Sequence, residues 1–206
     1  MIVLPGFGAD DGSTMLLRRY LAMLGYDVHG WKRGFNVRKP GADIAAVIEQ
    51  IKGLKSKHKV PVSLIGWSRG GIMAREIARQ IPDDVRLVIT LGSPFADASA
   101  NNIGSIWTVL TGEQVPRDPA RLKSLAEPIP APSTAIHTRA DGVVAWRACL
   151  EKPGLNAENI EVRSTHLGLG FHAPAFWVIA DRLGQPFGTW APFKPRGVAQ
   201  MFFPRR

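Results

Sequence analysis

The chain has 206 residues, 45% of them hydrophobic, with one cysteine and a formal net charge of +9. That length and apolar content suit one domain with a full core over residues 1–206. A lone Cys149 rules out an intrachain disulfide framework or a cysteine-rich metal site and reads as a buried structural thiol. No apolar run is long enough to span a bilayer, and Met1 leads into Ile2, Val3 and Leu4 without a basic leader. A soluble, cytoplasmic protein is expected, or a mature chain whose leader is absent.

Strand and helix signals alternate along the chain. Residues 1–4 read as a short buried strand, 13–24 as a helix stopped by Gly25, with Asp10 and Asp11 as its caps, and 26–31 as a second strand. A helix over 42–57 carries Ile44, Val47, Ile48 and Ile51 on one side, and an apolar strand follows at 62–65. Next comes Gly66-Trp67-Ser68-Arg69-Gly70, then a helix over 71–81 with Ile72, Met73, Ile77 and Ile81 at helical spacing before Pro82. Residues 85–91 form a fourth strand closing at Gly92-Ser93-Pro94.

The stretch 95–132 has no strand signal and is too long for an ordinary connection. It holds helical segments at 103–110 and 120–125, and its length suggests a lid or binding loop, with a structural ornament as the alternative. Ile103, Ile106, Trp107 and Leu110 share one helical face. The last strands fall at 134–138 and 159–163 with a helix at 144–150 between them, a final helix spans 175–183, and residues 190–206 make a basic, aromatic tail. This alternation predicts an α/β architecture, a mostly parallel sheet of about six strands with helices on both faces, whose chemistry gathers at the carboxyl ends of the strands.

Ser68 is the prime candidate for that chemistry. A G-x-S-x-G sequence between strand and helix makes a tight turn with glycines where backbones pass closely and the serine hydroxyl pointing outward. A serine hydroxyl is a weak nucleophile until a base takes its proton, and the base needs an acceptor to fix its tautomer. Among the five histidines, His166 lies in a loop after the last strand and can reach across the sheet, His172 at the last helix is the alternative, and His29, His58 and His137 read as surface or core residues. Asp141 follows the strand at 134–138 by a short turn and is the candidate acceptor.

Leu4-Pro5-Gly6-Phe7-Gly8, Gly66-Trp67-Ser68-Arg69-Gly70, Leu91-Gly92-Ser93-Pro94, Asp141-Gly142-Val143-Val144 and Ser164-Thr165-His166-Leu167-Gly168 occur in an order that resembles the α/β-hydrolase superfamily, in its small bacterial lipase and esterase branch. The resemblance implies a minimal α/β-hydrolase fold with a lid-like insertion. It also implies a serine esterase acting through Ser68, His166 and Asp141 and an acyl-enzyme, with backbone N–H groups of Phe7 and Arg69 as the oxyanion hole. An acyltransferase or thioesterase would use the same residues. Trp67, Phe95, Trp107 and Leu167 are the candidate substrate contacts, the partner is a small-molecule ester or lipid, and neither metal nor cofactor is expected. The departure lies at the front, where the first strand already carries the oxyanion loop although the superfamily's usual fold begins with two more strands.

Two rival readings stand beside this one. Gly6-Phe7-Gly8-Ala9-Asp10-Asp11 after a first strand invites a dinucleotide site, but Asp11 occupies the place of the third glycine and Trp31-Lys32-Arg33 that of the ribose-binding acid. A non-catalytic module on the same fold is the other. The positive charge is spread over Lys32, Arg33, Arg38 and Lys39, a helix face with Lys52, Lys55 and Lys59, and Lys194, Arg196, Arg205 and Arg206 in the tail. It suits a solvated basic surface, or contact with an anionic membrane or acidic partner, better than nucleic acid.

Overall fold

The computed structural model describes residues 1–96 and 124–204. Six strands form one sheet in the order β2-β1-β3-β4-β5-β6: β1 (Ile2–Leu4), β2 (His29–Gly30), β3 (Val62–Trp67), β4 (Val85–Leu91), β5 (Ser133–His137) and β6 (Ala157–Glu161). Every neighbouring pair is parallel. Side chains alternate across the sheet, so Ile2, Leu4, Leu64 and Val88 enter one layer and Val3, Ile65, Leu87 and Ile89 the other. The first layer is closed by α2 (Pro40–His58) and α3 (Arg69–Gln80), through Ile44, Val47, Ile51, Met73 and Ile77. The second is closed by α1 (Met15–Met23) and α4 (Ala173–Gly184), through Leu17, Leu21, Ala175, Val178 and Ile179.

Several boundaries depart from the sequence pattern for identifiable reasons. The second strand shrinks to two residues because Asp11 takes the backbone N–H groups of Trp31 (2.9 Å) and Lys32 (3.0 Å), drawing the chain out of the ladder. Asp11 is therefore a stitch between two loops and not a helix cap; Thr14 precedes α1, and Asp10 accepts from Gly12 at 2.9 Å. α2 begins two residues before the predicted start, with Pro40 in its first turn, where the missing N–H is no loss. The helix expected at 144–150 is only a 3-10 turn, Trp146–Cys149. The Asp141 carboxylate holds the N–H groups of Val143 and Val144 that would have opened it.

β6 begins two residues earlier than its pattern suggests because Glu158 is buried, bonded to Thr134 at 2.9 Å and Arg182 at 3.0 Å. Glu158 also accepts the N–H of Phe193 at 2.7 Å, and Phe193 and Phe203 pack into the layer beneath α4. The tail up to residue 204 thus lies against the core, with Met201 and Phe202 exposed; Arg205 and Arg206 lie outside the described residues. So does most of the stretch 95–132, including Trp107 and the predicted helix at 103–110. Its roots are described: Ala96 N–H donates to the carbonyl of Ala148 at 2.7 Å, and Arg79 donates to the carbonyls of Leu125 and Glu127.

Candidate active site

The turn between β3 and α3 is shaped by backbone crowding. A Cβ on Gly66 would lie 2.4 Å from the Gly70 carbonyl, and one on Gly70 would lie 2.4 Å from the Leu4 carbonyl. Both obstacles are main chain, so only glycine fits, and β1 can cross directly behind the turn. Ser68, between them, adopts φ 53° and ψ −119°, a region that costs a non-glycine residue on the order of 1–3 kcal/mol. Its N–H donates to the Leu91 carbonyl at 2.7 Å, which fixes the strained residue against the end of β4. Arg69 starts α3, where backbone N–H groups have no partner within the helix.

His166 and Asp141 meet beside this turn. His166 Nδ1 lies 2.7 Å from Asp141 Oδ2, with side-chain exposures of 4% and 1%. The other carboxylate oxygen of Asp141 accepts the N–H of Val143 at 2.9 Å and of Val144 at 2.8 Å. A carboxylate so held accepts from Nδ1–H and leaves Nε2 as the basic nitrogen. The carbonyl of His166 receives the indole N–H of Trp67 at 3.1 Å, and Thr138 Oγ1 donates to the Ser164 carbonyl at 2.7 Å. The histidine loop is thereby tied to the turn that carries Ser68 and to the end of β5.

Gly92 sits where these parts join. Its φ is +55°, and a Cβ there would come within 2.9 Å of Leu169 Cδ1, 3.1 Å of His166 Nδ1 and 3.3 Å of Asp141 Oδ2. Gly92→Ala is expected to lower stability by at least about 1–2 kcal/mol, the cost of a left-handed L-residue, and to push His166 and Asp141 apart. A urea titration equal to that of the unmutated chain would refute this.

The remaining candidates are distributed unevenly. Phe7 is partly exposed on the loop after β1, whose Gly6 would place a Cβ 3.5 Å from Ser68 Cβ. Leu167 is 67% exposed beside His166. Trp67 and Phe95 are in the core: Trp67 packs edge-on against Phe171, and Phe95 lies under the Arg75 guanidinium at 3.7 Å. The Arg69 side chain is buried and donates to the carbonyls of Asn36 (3.2 Å) and Arg38. Asn36 had no sequence signal beyond a short polar residue in a loop, yet it is fully buried against the loop of Phe7.

His29 and His58 both contact Asp27 at 2.9 Å, and His137 stacks on Trp146 while burial pulls its imidazole down. His172 precedes α4 and is likewise lowered by desolvation. Burial pushes the Cys149 thiol up, away from the thiolate. Arg33 and Arg38 flank the buried carboxylate of Asp43 at 3.0 and 3.6 Å. Among the described residues no group of three or more His, Cys, Asp or Glu could hold a metal ion, and no helix is long and apolar enough to cross a membrane.

No family model and no curated protein matches the chain. Solved structures do. Lipase B of Aspergillus fumigatus is similar at 16% identity with a TM-score of 0.67, over 90% of this chain and 52% of that one, so the chain spans about half of the fungal enzyme. The product of a Listeria innocua gene aligns at 17% identity and a TM-score of 0.63, covering 91% and 94% of the two chains. A lipase of Bacillus licheniformis in its mature form gives 17% and 0.59, over 87% and 90%. With the all-parallel six-stranded sheet, these likenesses identify the α/β-hydrolase fold in a minimal form.

Proposed function

We propose that the chain is a serine hydrolase that cleaves carboxylic esters with apolar acyl groups. The observation that carries this reading is the buried Asp141–His166 pair at 2.7 Å, set against a turn that holds Ser68 at φ 53°. Ser68 Oγ attacks the ester carbonyl carbon as His166 Nε2 takes its proton. The tetrahedral oxyanion is received by the backbone N–H groups of Phe7 and Arg69, since preset dipoles stabilise the forming charge without reorganising. Collapse breaks the ester C–O bond, His166 returns the proton to the alkoxide, and a water molecule repeats the sequence on the acyl-enzyme. Asp141 keeps Nδ1 protonated and stabilises the imidazolium.

The acyl preference rests on side chains that open to solvent around this point. Phe7, Val143, Leu167 and Phe171 are exposed apolar residues on loops that follow the ends of β1, β5 and β6. Trp67 and Phe95 are core residues, and Trp67 backs Phe171 from below. Each methylene removed from water contributes about 0.8 kcal/mol, so Leu167→Ser should lower the preference for octanoyl over acetyl esters several-fold in kcat/KM. Equal losses on both esters would remove Leu167 from the acyl site. Octanoyl thioesters in the same panel distinguish thioester cleavage from ester cleavage.

A further inference from the structure

We propose that Asn36 and the Arg69 side chain form a positioning clamp that presets the loop of residues 5–9, and with it the Phe7 N–H, for the oxyanion; this rests on the hydrolase reading above. Asn36 is fully buried and brackets Phe7 on both sides. Its Nδ2 donates to the Pro5 carbonyl at 2.8 Å, its carbonyl accepts from Gly8 N–H at 3.0 Å, and its own N–H donates to the Ala9 carbonyl at 2.8 Å. One side chain and its own backbone groups thus fix the loop before and after the residue whose N–H must face the substrate.

Arg69 reinforces the same point from the helix side. Its guanidinium is buried, donates to the Asn36 carbonyl at 3.2 Å and to the Arg38 carbonyl, and sits 5.5 Å from the centroid of the Phe7 ring. Burying a guanidinium is expensive unless its donors are used, and here these donors reach the loop that backs residues 5–9. Arg69 then acts twice, its N–H on the oxyanion and its side chain on the position of the other donor. Holding such donors to within a fraction of an ångström is what separates a preset oxyanion hole from one that must form during reaction.

The test uses the whole chain with Asn36→Ala, Arg69→Met and Arg69→Lys. Active Ser68 is counted by exhaustive titration with a fluorophosphonate, and kcat and KM for a p-nitrophenyl ester are expressed per titrated site. The clamp predicts that kcat per site falls about tenfold to hundredfold in Asn36→Ala and Arg69→Met with KM within about twofold, and that Arg69→Lys restores part of the loss. Affinity for a boronic acid, a tetrahedral mimic, should fall in parallel with kcat. A lower titrated fraction or melting temperature with kcat per site unchanged overturns the clamp and leaves a merely structural role. Should Asn36→Ala fail to fold, Arg69→Met decides, unchanged kcat per site being the overturning result. Absence of titration in the unmutated chain overturns the hydrolase reading itself and is thereby distinguished.

Discussion

His166→Ala is expected to lower kcat/KM on an activated ester by about 10⁴-fold or more, and Asp141→Asn by a similar order, with folding retained in both. The size follows from the parts acting as a unit. Without the imidazole the Ser68 hydroxyl keeps its proton, and the strained turn presents a poor nucleophile. Without the carboxylate the proton moves to the wrong ring nitrogen, because a neutral amide in place of Asp141 offers Nδ1–H no charged acceptor. Folding should survive because the Nδ1–Oδ2 contact is the hydrogen bond the imidazole makes, and Asp141 retains the N–H groups of Val143 and Val144 when His166 is removed. The check is steady-state kinetics alongside circular dichroism; a loss below tenfold in His166→Ala would reassign the base, with His172 next in sequence.

The largest loss of stability is expected at Glu151. Arg75 and Glu151 form an ion pair with both side chains 1% exposed. Arg75 also donates to the Glu127 carbonyl at 2.9 Å and covers the Phe95 ring. Burial pulls the Arg75 guanidinium down to about 10 and pushes the Glu151 carboxyl up, as expected for charges removed from water. Removing one partner leaves the other charged and buried, so Glu151→Ala should destabilise by about 3–5 kcal/mol, whereas Arg75→Met with Glu151→Leu should recover most of it. Urea unfolding of the single and double variants decides this, and a single variant within about 1 kcal/mol of the parent would refute it. The pair also joins both roots of the 95–132 stretch, through Phe95 and Glu127, so the single variant should loosen that stretch at both ends.

How much of this could be read from the sequence depended on whether polarity advertised burial. β4 fell where its pattern placed it because Val85-Arg86-Leu87-Val88-Ile89-Thr90-Leu91 is nearly continuous in apolar residues. The turn at Ser68 and the meeting of Asp141 with His166 followed from local glycine and strand signals, since backbone crowding and the parallel sheet leave few alternatives. Polar residues that bury themselves in pairs misled the reading. Glu158 hid the start of β6, Asp11 passed for a cap, and Asn36, Arg75 and Glu151, all buried, carry no sequence signal of burial. Their partners lie far along the chain, up to 76 residues for Arg75 and Glu151, and no periodicity reports such contacts. Trp67 and Phe95 looked like substrate contacts for the converse reason: aromatic residues beside a turn can line a pocket or fill the core, and here they fill it.

The most direct measurement is the site of covalent modification. After reaction with a fluorophosphonate, the intact protein should gain the mass of one phosphonyl group, peptide sequencing by mass spectrometry should place it on Ser68, and Ser68→Ala should remain unlabelled. Labelling of Ser68→Ala at the unmutated rate, or an adduct on any other residue, would contradict the account.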